Sequence, residues 1–516
     1  MFSGLLLVFA FPDWNLWSLG WVGTAPLIMA VIRERRFWRS LLLGWITGLV
    51  FYVGSSSWVT YSMHHYGGIP LWLSYVFMLI LGIAMGSFTG LFGGAFGIAI
   101  KRFGGWAILS APLIWASSEY ARLIVTNVGW NALGYSQAFQ PAVIQVSRWG
   151  GVYLVSAIMV MASTSLVYAL VYLEQRRGLI VLTVAGIIAV TSVVYGESLR
   201  PSTEGPHSLT ALVIQPNLPV DGKWDDPRFV NAMLQQIISQ SEQALHSPAG
   251  NVSSSASERG SIDLVVWPES PMNFEYDRDS DLQRELAGFT RRNQVYLLIS
   301  SWGYPRDDSD SERIYNSAIL ISPPGEKVGE YDKVRLMPFG EYVPARGWIP
   351  FMNRIPALVA DVTPGSSLEL FDVAGARLGP SICFEATRPE LVRQLRRQGA
   401  TTIVQMSNET WFGPTACAHQ MLAQSVLRAV ENNVELVRAT NSGRSAKIDN
   451  FGRISGETPM LDTAERMWEL ETSAEAAANR ATFYTRHGDV FVIASAIATL
   501  LILAASLLKP AFSKNR

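Results

Sequence analysis

Cysteines and charged side chains are scarce in this chain of 516 residues. It contains two cysteines, Cys383 and Cys417, so it has no framework of several disulfides. Only 16% of its residues are charged, and the net charge is −1, which provides no basic surface for nucleic acid. The N-terminus also lacks the basic stretch and the small-residue cleavage site of a signal peptide. We therefore expect the first apolar segment, residues 2–11, to be retained.

Hydrophobic residues, in contrast, make up 49% of the chain, and they are unevenly distributed. Residues 1–196 form long apolar blocks, residues 197–485 have the composition of a soluble domain, and residues 486–516 contain a last apolar block. A helix that crosses a bilayer needs about 20 mostly apolar residues. Candidate spans lie at 17–32, 41–62, 71–100, 105–125, 142–172, 178–196 and 488–508. The sequence therefore predicts a polytopic α-helical membrane domain with seven crossings, or eight if residues 2–11 also span.

The positive charges between these spans predict the orientation of the chain. Loops rich in Arg and Lys usually stay in the cytoplasm. They alternate here with loops that carry neither residue, such as 63–70 and 126–141. The clustered basic residues are Arg33, Arg35, Arg36, Arg39, Lys101, Arg102, Arg176, Arg177, Lys509, Lys514 and Arg516. This alternation predicts that residues 197–485 lie on the side opposite the cytoplasm.

Two ionisable residues fall inside a predicted span. Glu119 and Arg122 are three residues apart and so share one face of a helix. Ionisable groups at that depth are costly, and they indicate either a pairing or a function. A structural ion pair and a contact with substrate are equally good interpretations.

Residues 197–485 alternate between strand-like and helix-like segments. Apolar runs that predict strands lie near 208–217, 262–266, 295–301, 316–322, 368–373, 378–383, 402–407 and 435–440. Segments that predict helices lie near 226–245, 281–293, 388–398 and 419–432. Strands that alternate with helices are typical of an α/β layered domain.

Three polar residues follow predicted strands of this domain. Cys383 ends an apolar run just before a predicted helix, at a turn that exposes a side chain above a sheet. A thiol with a pKa of about 8.5 needs a base or a cation to become a good nucleophile. Glu269 could act as that base, and Lys333 could stabilise the thiolate and then an oxyanion. Each residue alone could be purely structural: a buried cysteine, a carboxylate at a strand end and a surface lysine are all common. The set of three favours covalent catalysis by a cysteine.

The order Glu, Lys, Cys and the motifs around these residues resemble the nitrilase superfamily. The membrane blocks on both sides narrow the resemblance to the apolipoprotein N-acyltransferase family. The motifs are Gln215-Pro-Asn-Leu-Pro with Lys223-Trp224, Trp267-Pro-Glu-Ser270, Pro338-Phe-Gly-Glu-Tyr-Val-Pro344, Ser407-Asn408 with Trp411-Phe-Gly413, and Arg438-Ala-Thr-Asn-Ser-Gly443. Five motifs in this order, between membrane helices, make the resemblance specific.

The resemblance implies both a fold and a reaction. The soluble domain would be a nitrilase-like αββα sandwich on the periplasmic face of a bacterial inner membrane, with no metal and no cofactor. Cys383 would take an acyl chain from a membrane phospholipid as a thioester. It would then pass the chain to the N-terminal diacylglyceryl-cysteine of an apolipoprotein. Glu269 would be the base, Lys333 the oxyanion partner, and Glu341 would help to orient the lysine.

Further positions match the family near its site. These substrate-binding or supporting residues are Trp224, Phe384, Glu385, Asn408, Trp411 and Gly413. Two positions depart from the pattern: Phe384 stands where Tyr is usual, and Glu409 stands where we expect Asp. The first departure removes a hydroxyl and any hydrogen bond that it makes. The short first apolar segment is a third departure.

Residues 346–353 form an apolar cluster in an otherwise polar loop. A phospholipid leaves the bilayer reluctantly, because each buried CH₂ contributes about 0.8 kcal/mol. An enzyme that uses this donor should therefore hold its site at the membrane surface. Trp348 and Phe351 predict a lid that touches lipid, and a core-packing loop is the equal alternative.

Two other functions fit parts of the sequence. A membrane-tethered nitrilase-type amidase would use the same three residues with water as the acceptor, but it would not need seven or eight helices. A transporter or scaffold would leave the three residues unexplained, and the spans lack obvious paired broken helices. A pair of Cys417 and His419, two residues apart, has poor geometry for a nucleophile and its base, so we expect both to be structural.

Overall fold

The computed structural model divides into two compact units. One unit lies within residues 1–64, 69–200 and 482–516, and the other lies within residues 65–68 and 201–481. The structure describes residues 1–34, 36–171, 176–199, 207–220, 226–247, 261–269, 274–305, 313–344, 361–473 and 480–507. Three residues singled out in the sequence, Trp224, Trp348 and Phe351, lie outside the described residues.

The described helices are numbered here in chain order. They are α1 (Phe2–Ala10), α2 (Ala25–Arg33), α3 (Phe37–Ser55), α4 (Val59–His65), α5 (Leu71–Phe103), α6 (Ala111–Thr126), α7 (Pro141–Ile144), α8 (Ser147–Val171), α9 (Arg176–Ser198), α10 (Pro227–His246), α11 (Ser280–Asn293), α12 (Pro389–Arg397), α13 (Cys417–Asn432), α14 (Phe483–His487) and α15 (Val490–Leu507). The first unit is helical, and α10 to α13 belong to the second unit.

Several helices of the first unit have the length and composition of membrane spans. Among the described residues, Phe37–Ser55, Leu71–Thr126, Ser147–Val171 and Ile180–Ser198 are long and apolar enough, and Val490–Ser506 is a shorter apolar helix. The second of these stretches contains both α5 and α6. Every predicted span except 17–32 therefore overlaps one of these apolar helices. Span 41–62 continues past the end of α3 into α4, and span 105–125 begins in a 3-10 helix, Gly104–Ser110.

The prediction of one spanning helix at 17–32 is wrong. Trp17–Trp21 form a short 3-10 helix, and α2 begins only at Ala25. The nine residues of α2 rise about 14 Å, roughly half the thickness of a bilayer's hydrocarbon core. Pro26 in the first turn explains where α2 begins, because proline fits this turn and not a helix interior. Helix α1, also of nine residues, is equally short.

The glycine-rich part of α5 packs closely against α3, as its composition predicts. A Cβ atom at Gly48 would lie 2.7 Å from the Cα atom of Gly86, and a Cβ atom at Gly86 would lie 2.7 Å from the backbone nitrogen of Leu49. Real Cβ atoms do not approach so closely, so the two backbones can touch only because both residues are glycine.

Glu119 and Arg122 are both buried, but they bind different partners. Glu119 Oε1 accepts hydrogen bonds from Trp115 Nε1 at 2.8 Å and from the backbone of Leu133 at 2.7 Å. Arg122 Nη1 donates to the carbonyl of Val128 at 3.0 Å. Within the described residues, these contacts do not join the two side chains, so the ion pair, one of the two interpretations, is not formed; the other, a contact with substrate, stays a hypothesis.

The second unit contains two six-stranded sheets. The described strands are β1 (His207–Gln215), β2 (Leu264–Val266), β3 (Tyr296–Gly303), β4 (Tyr315–Ile321), β5 (Lys327–Asp332), β6 (Phe371–Val373), β7 (Ala376–Ile382), β8 (Thr402–Ser407), β9 (Glu435–Thr440), β10 (Ala446–Ile448), β11 (Ile454–Ser455) and β12 (Ala464–Glu471). The first sheet has the order β12-β1-β2-β3-β4-β5, and the second has the order β11-β10-β9-β8-β7-β6. Each has three parallel strands at its centre, β1 to β3 in one and β7 to β9 in the other.

Helices cover one face of each sheet, and the other faces meet. An apolar core joins α10 and α11 to the first sheet; it includes Leu212, Ile214, Leu234, Ile237, Val265, Leu286, Phe289, Leu297 and Ile319. Helices α12 and α13 pack against the second sheet. Between the sheets, Thr440 Oγ1 at the end of β9 donates to Gln215 Oε1 at the end of β1 at 3.0 Å. The predicted helical membrane domain with an αββα sandwich is therefore confirmed as the fold class.

Candidate active site

The predicted catalytic residues meet at one edge of the sandwich. Glu269 follows β2, and Lys333 directly follows β5. Strand β5 runs in the same direction as β2, because β3 is parallel to β2 and the pairs β3–β4 and β4–β5 are both antiparallel. The carboxyl ends of β2 and β5 therefore lie at the same edge of the first sheet. Cys383 comes from the second sheet, directly after β7.

Cys383 occupies a tight turn, as the sequence predicts. It is the first residue of a 3-10 helix, Cys383–Thr387, which precedes α12. Its φ angle is +51°, in the left-handed region that few residues other than glycine adopt. Its side chain is buried, as is that of the next residue, Phe384. This backbone conformation fixes the direction in which the thiol points.

Lys333 lies between two carboxylates. Its Nζ atom donates to Glu341 Oε1 at 2.9 Å and to Glu269 Oε1 at 3.4 Å. The lysine is 1% exposed, so these partners replace water around the ammonium group. A buried cation is tolerated only when it is paired and hydrogen-bonded in this way.

Asn316, which no sequence pattern singles out, binds both of these carboxylates. The residue stands near the start of β4, where a polar side chain is ordinary. Its Nδ2 atom donates to Glu269 Oε1 and to Glu341 Oε1, both at 2.9 Å. The backbone carbonyl of Asn316 accepts a hydrogen bond from the backbone N–H of Lys333 at 2.8 Å. The side-chain amide of Asn316 therefore sets the spacing of both carboxylates, and its backbone carbonyl holds the backbone of Lys333.

The second oxygen of each carboxylate is held by the backbone. Glu269 Oε2 accepts from the N–H of Asn408 at 3.0 Å, and Glu341 Oε2 accepts from the N–H of Met337 at 2.8 Å. Asn408 directly follows β8 of the second sheet, so this hydrogen bond joins the base candidate to the sheet that carries Cys383.

The charges around Cys383 determine its protonation state. Burial raises the pKa of the thiol well above its usual value; the negative charge of Glu269 adds to this effect, and Lys333 opposes it. Burial alone would lower the pKa of Lys333, but Glu269 and Glu341 outweigh burial and raise that pKa. At neutral pH the site therefore holds a neutral thiol beside an ammonium group. The thiol has to give up its proton as it attacks, so a nearby base is needed.

Glu385 links the Cys383 turn to the Lys333 strand. It is fully buried, and its Oε1 atom accepts from the N–H groups of Val334 at 2.9 Å and Arg335 at 3.0 Å. The Tyr331 hydroxyl donates to the same oxygen at 2.7 Å. The other oxygen, Oε2, accepts from the N–H of Ile382 at 2.8 Å. Glu385 therefore fixes the backbone on both sides of the site, which places it as a support.

The segment after β8 contains three of the predicted supporting residues, Asn408, Trp411 and Gly413. Asn408 caps the 3-10 helix Glu409–Phe412, which ends at Gly413 with a φ angle of +59°. The rings of Trp411 and Tyr66 contact each other edge to face, with centroids 5.0 Å apart. Tyr66 belongs to residues 65–68 of this same unit.

Glu409, which stands where we expect Asp, contacts Arg438 and Gly443. Its carboxylate forms a buried ion pair with Arg438. A Cβ atom at position 443 would overlap Glu409 Oε2, so Gly443 provides the room for the longer side chain. The two motifs that contain these residues therefore depend on each other.

Cys417 is the second cysteine of this unit. It lies at the start of α13 and is fully buried. Burial raises the pKa of its thiol well above the usual value. Burial has the same effect on Cys383, so it does not distinguish the two thiols. The difference is that Glu269 and Lys333 act on the pKa of Cys383, whereas Glu409 and Arg438 act on that of Cys417.

Both units of the chain match known protein families. Residues 3–165 match the model of the apolipoprotein N-acyltransferase N-terminal domain, and residues 214–465 match that of carbon-nitrogen hydrolases. A protein of Geobacter metallireducens named apolipoprotein N-acyltransferase is 32% identical over 97% of this chain and 93% of its own. One of the same name from Chromobacterium violaceum is 27% identical over 97% and 92%. Among solved structures, Nit3 of Saccharomyces cerevisiae, a nitrilase-superfamily member, is 18% identical over 55% of this chain and 94% of its own, with a TM-score of 0.38.

The first of these relatives is similar along almost the full length of both chains, and the match includes the helical unit as well as the sandwich. The chain therefore belongs to the apolipoprotein N-acyltransferases, acyltransferases of bacterial membranes that act on lipoproteins.

Proposed function

We propose that this enzyme transfers an acyl chain in two half-reactions, from a membrane phospholipid to Cys383 and from Cys383 to the diacylglyceryl-cysteine at the N-terminus of an apolipoprotein. One observation carries the proposal. A buried thiol lies in a group with one ammonium and two carboxylates, and Glu269 and Glu341 both hold Lys333. This arrangement provides a nucleophile, a base and a fixed positive charge within one site.

In the first half-reaction, Cys383 Sγ attacks the carbonyl carbon of the donor ester while Glu269 takes the thiol proton. The carbonyl oxygen becomes an oxyanion, which the ammonium group of Lys333 stabilises. The carbon–oxygen bond to the glycerol then breaks, and Glu269 returns the proton to the leaving oxygen. The products are a thioester on Cys383 and a lysophospholipid.

In the second half-reaction, the α-amino group of the acceptor attacks the thioester carbon. Glu269 takes a proton from the nitrogen, and Lys333 again stabilises the oxyanion. The carbon–sulfur bond breaks, the sulfur regains a proton from Glu269, and an amide forms. Holding the ammonium in place beforehand matters most, because a fixed charge needs no reorganisation during the reaction.

Other residues are assigned by their positions and by resemblance to the family. Glu341 and Asn316 position Lys333 and Glu269 through hydrogen bonds. Glu385 supports the backbone after β5 in the first sheet and the end of β7 in the second. We assign substrate binding or its support to Trp224, Phe384, Asn408, Trp411 and Gly413, by resemblance to the family. Trp348 and Phe351 stay a predicted lid.

The direct test uses purified protein in detergent with a labelled phospholipid and a diacylated lipopeptide. The expected product is a triacylated lipopeptide that carries the labelled chain, together with a lysophospholipid. A control lipopeptide whose α-amino group is acetylated should give none, because no nucleophilic nitrogen is left. Release of labelled fatty acid without triacylated product would instead support a hydrolase.

The orientation in the membrane gives a separate prediction. We propose that the basic loops face the cytoplasm and that residues 197–485 face the periplasm. Residues 65–68 cluster with the second unit, so a reporter at Gly67 should be on the same side as that unit. Reporters fused after Arg39, Arg102, Arg177 and Arg516 should read as cytoplasmic, and those at Gly67 or within 197–485 as periplasmic. A cytoplasmic signal from 197–485 would contradict both the orientation and the access to lipoproteins.

A further inference from the structure

Buried hydrogen bonds lead from Arg438 to Cys383. Arg438 lies on β9, directly opposite Gln405 of β8, and both side chains are fully buried. The Nη1 atom of Arg438 donates to Gln405 Oε1 at 3.0 Å and to Ser425 Oγ at 2.8 Å. From this guanidinium, two routes reach the candidate nucleophile.

The first route reaches the backbone of Cys383. Gln405 Nε2 donates to the carbonyl of Cys383 at 3.3 Å. The amide cannot turn over, because its oxygen accepts from both Arg438 and Ser425, the latter at 2.7 Å. The donor end of Gln405 therefore always points at Cys383.

The second route reaches the thiol. Arg438 Nη2 pairs with Glu409 Oε1, and the Ser407 hydroxyl donates to that same oxygen at 3.2 Å. In the parallel register of β7 and β8, Ile382 lies opposite Met406, so Cys383 and Ser407 are side by side. The Ser407 hydroxyl is also a hydrogen-bonding neighbour of the Cys383 thiol. It has a single proton, which either Glu409 or the Cys383 thiolate can accept, and pairing with Arg438 makes Glu409 the weaker competitor for it.

These routes explain why a buried arginine is present. A buried ion pair alone is weak evidence for stability, because apolar residues of the same size often serve as well. Cys383, however, is held at a φ of +51°, a conformation that persists only where the surroundings impose it. A guanidinium offers several donors in a fixed fork, so one side chain can serve both routes, which a lysine cannot.

We infer that Arg438 is a positioning residue for the nucleophile, acting through Gln405 on the backbone of Cys383 and through Glu409 and Ser407 on its thiol. The inference rests on the proposed function, because it assumes that Cys383 is the nucleophile. It assigns no contact between Arg438 and substrate.

The test uses the full-length protein in detergent with Cys417→Ala as the background, so that one cysteine remains. Two quantities are measured: the pH midpoint for alkylation of Cys383 by iodoacetamide, and the rate at which phospholipid forms the acyl adduct. The charged or titratable groups near this thiol and its buried support are Glu269, Lys333, Glu341, Glu385, Glu409 and Arg438. All of them except Arg438 are left unchanged in every variant.

The two routes predict separable defects. Gln405→Leu should slow adduct formation about five- to tenfold, the effect of one lost hydrogen bond, and should leave the alkylation midpoint unchanged. Ser407→Ala should raise the midpoint by about one pH unit, because the thiolate loses a donor. Arg438→Met should show both defects. Arg438→Lys, which keeps a charge for Glu409, should have the midpoint of the parent and the slow adduct formation of Gln405→Leu.

A midpoint and an adduct rate equal to the parent's in a folded Arg438→Met variant would overturn the inference. The inference would also be overturned if the midpoint in Arg438→Lys shifted as far as in Arg438→Met. A general loss of folding would then explain the effect of both substitutions. If Arg438→Met does not fold, Gln405→Leu and Ser407→Ala decide, and parental values in both would overturn the inference. If the parent forms no acyl adduct, the proposed function fails, while the alkylation midpoints still test the positioning.

Discussion

Given phospholipid but no acceptor, the parent protein is expected to gain the mass of one acyl chain, and Cys383→Ala is expected to gain none. Without an amine, the reaction should stop at the thioester, and hydroxylamine should then release the chain. The alanine variant lacks the only atom that forms the bond, so its adduct and its lipopeptide product should both be undetectable. Intact-protein mass spectrometry with and without hydroxylamine measures this directly.

Cys417→Ala is the matched control for this experiment. It removes the other thiol of the chain, which is fully buried at the start of α13, so the adduct should form as in the parent. When lipopeptide is added to the trapped species, the chain should move to the amine faster than to water. Product formed by Cys383→Ala would show that the nucleophile is misassigned, and discharge to water alone would favour the amidase.

The sequence predicted the parts of the sandwich that have a local pattern. The three parallel strands at the centre of each sheet are short apolar runs, and the four helices that cover the sheets are amphipathic. Strands β5, β10, β11 and β12 were not predicted. Strands β10 and β11 are only three and two residues long, too short for a period-2 pattern. Lys327–Asp332 and Ala464–Glu471 are rich in charged residues, and their pairing with β4 and β1 depends on tertiary contacts that no local pattern records.

The same limit applies to the site. Glu269, Lys333 and Cys383 could be singled out because Glu269 and Cys383 each follow a predicted strand and the three together have the order Glu, Lys, Cys. Asn316 and Gln405 are ordinary polar residues in strands, and only the register of their sheets brings one to the carboxylates and the other to the cysteine. In the membrane unit, apolar length predicted most helices, but it failed at 17–32, where an apolar stretch is divided by a 3-10 helix and a proline.

The largest effects after loss of the nucleophile are expected from Glu269→Gln and Lys333→Met. Removing one general base typically slows a reaction by about 10²–10⁴-fold, so acyl transfer by Glu269→Gln should fall by that amount. Lys333→Met removes the cation that we propose to stabilise the oxyanion, and it leaves Glu269 and Glu341 without the ammonium group that both bind. Loss of a single oxyanion donor costs about 10²–10³-fold, and loss of a full charge should cost at least as much.

The two substitutions should move the titration of Cys383 in opposite directions. The negative charge of Glu269 raises the pKa of the thiol, and the positive charge of Lys333 lowers it. In a Cys417→Ala background, the midpoint for alkylation by iodoacetamide should therefore fall in Glu269→Gln and rise in Lys333→Met.

Glu341→Gln is the matched control. It also removes a carboxylate bound to Lys333, so the alkylation midpoint should fall in this variant too. Acyl transfer should decrease less than in Glu269→Gln, because the proposed base remains. Shifts in the same direction for Glu269→Gln and Lys333→Met would indicate a general disturbance of the fold, and acyl transfer in Glu269→Gln within tenfold of the parent would show that another group is the base.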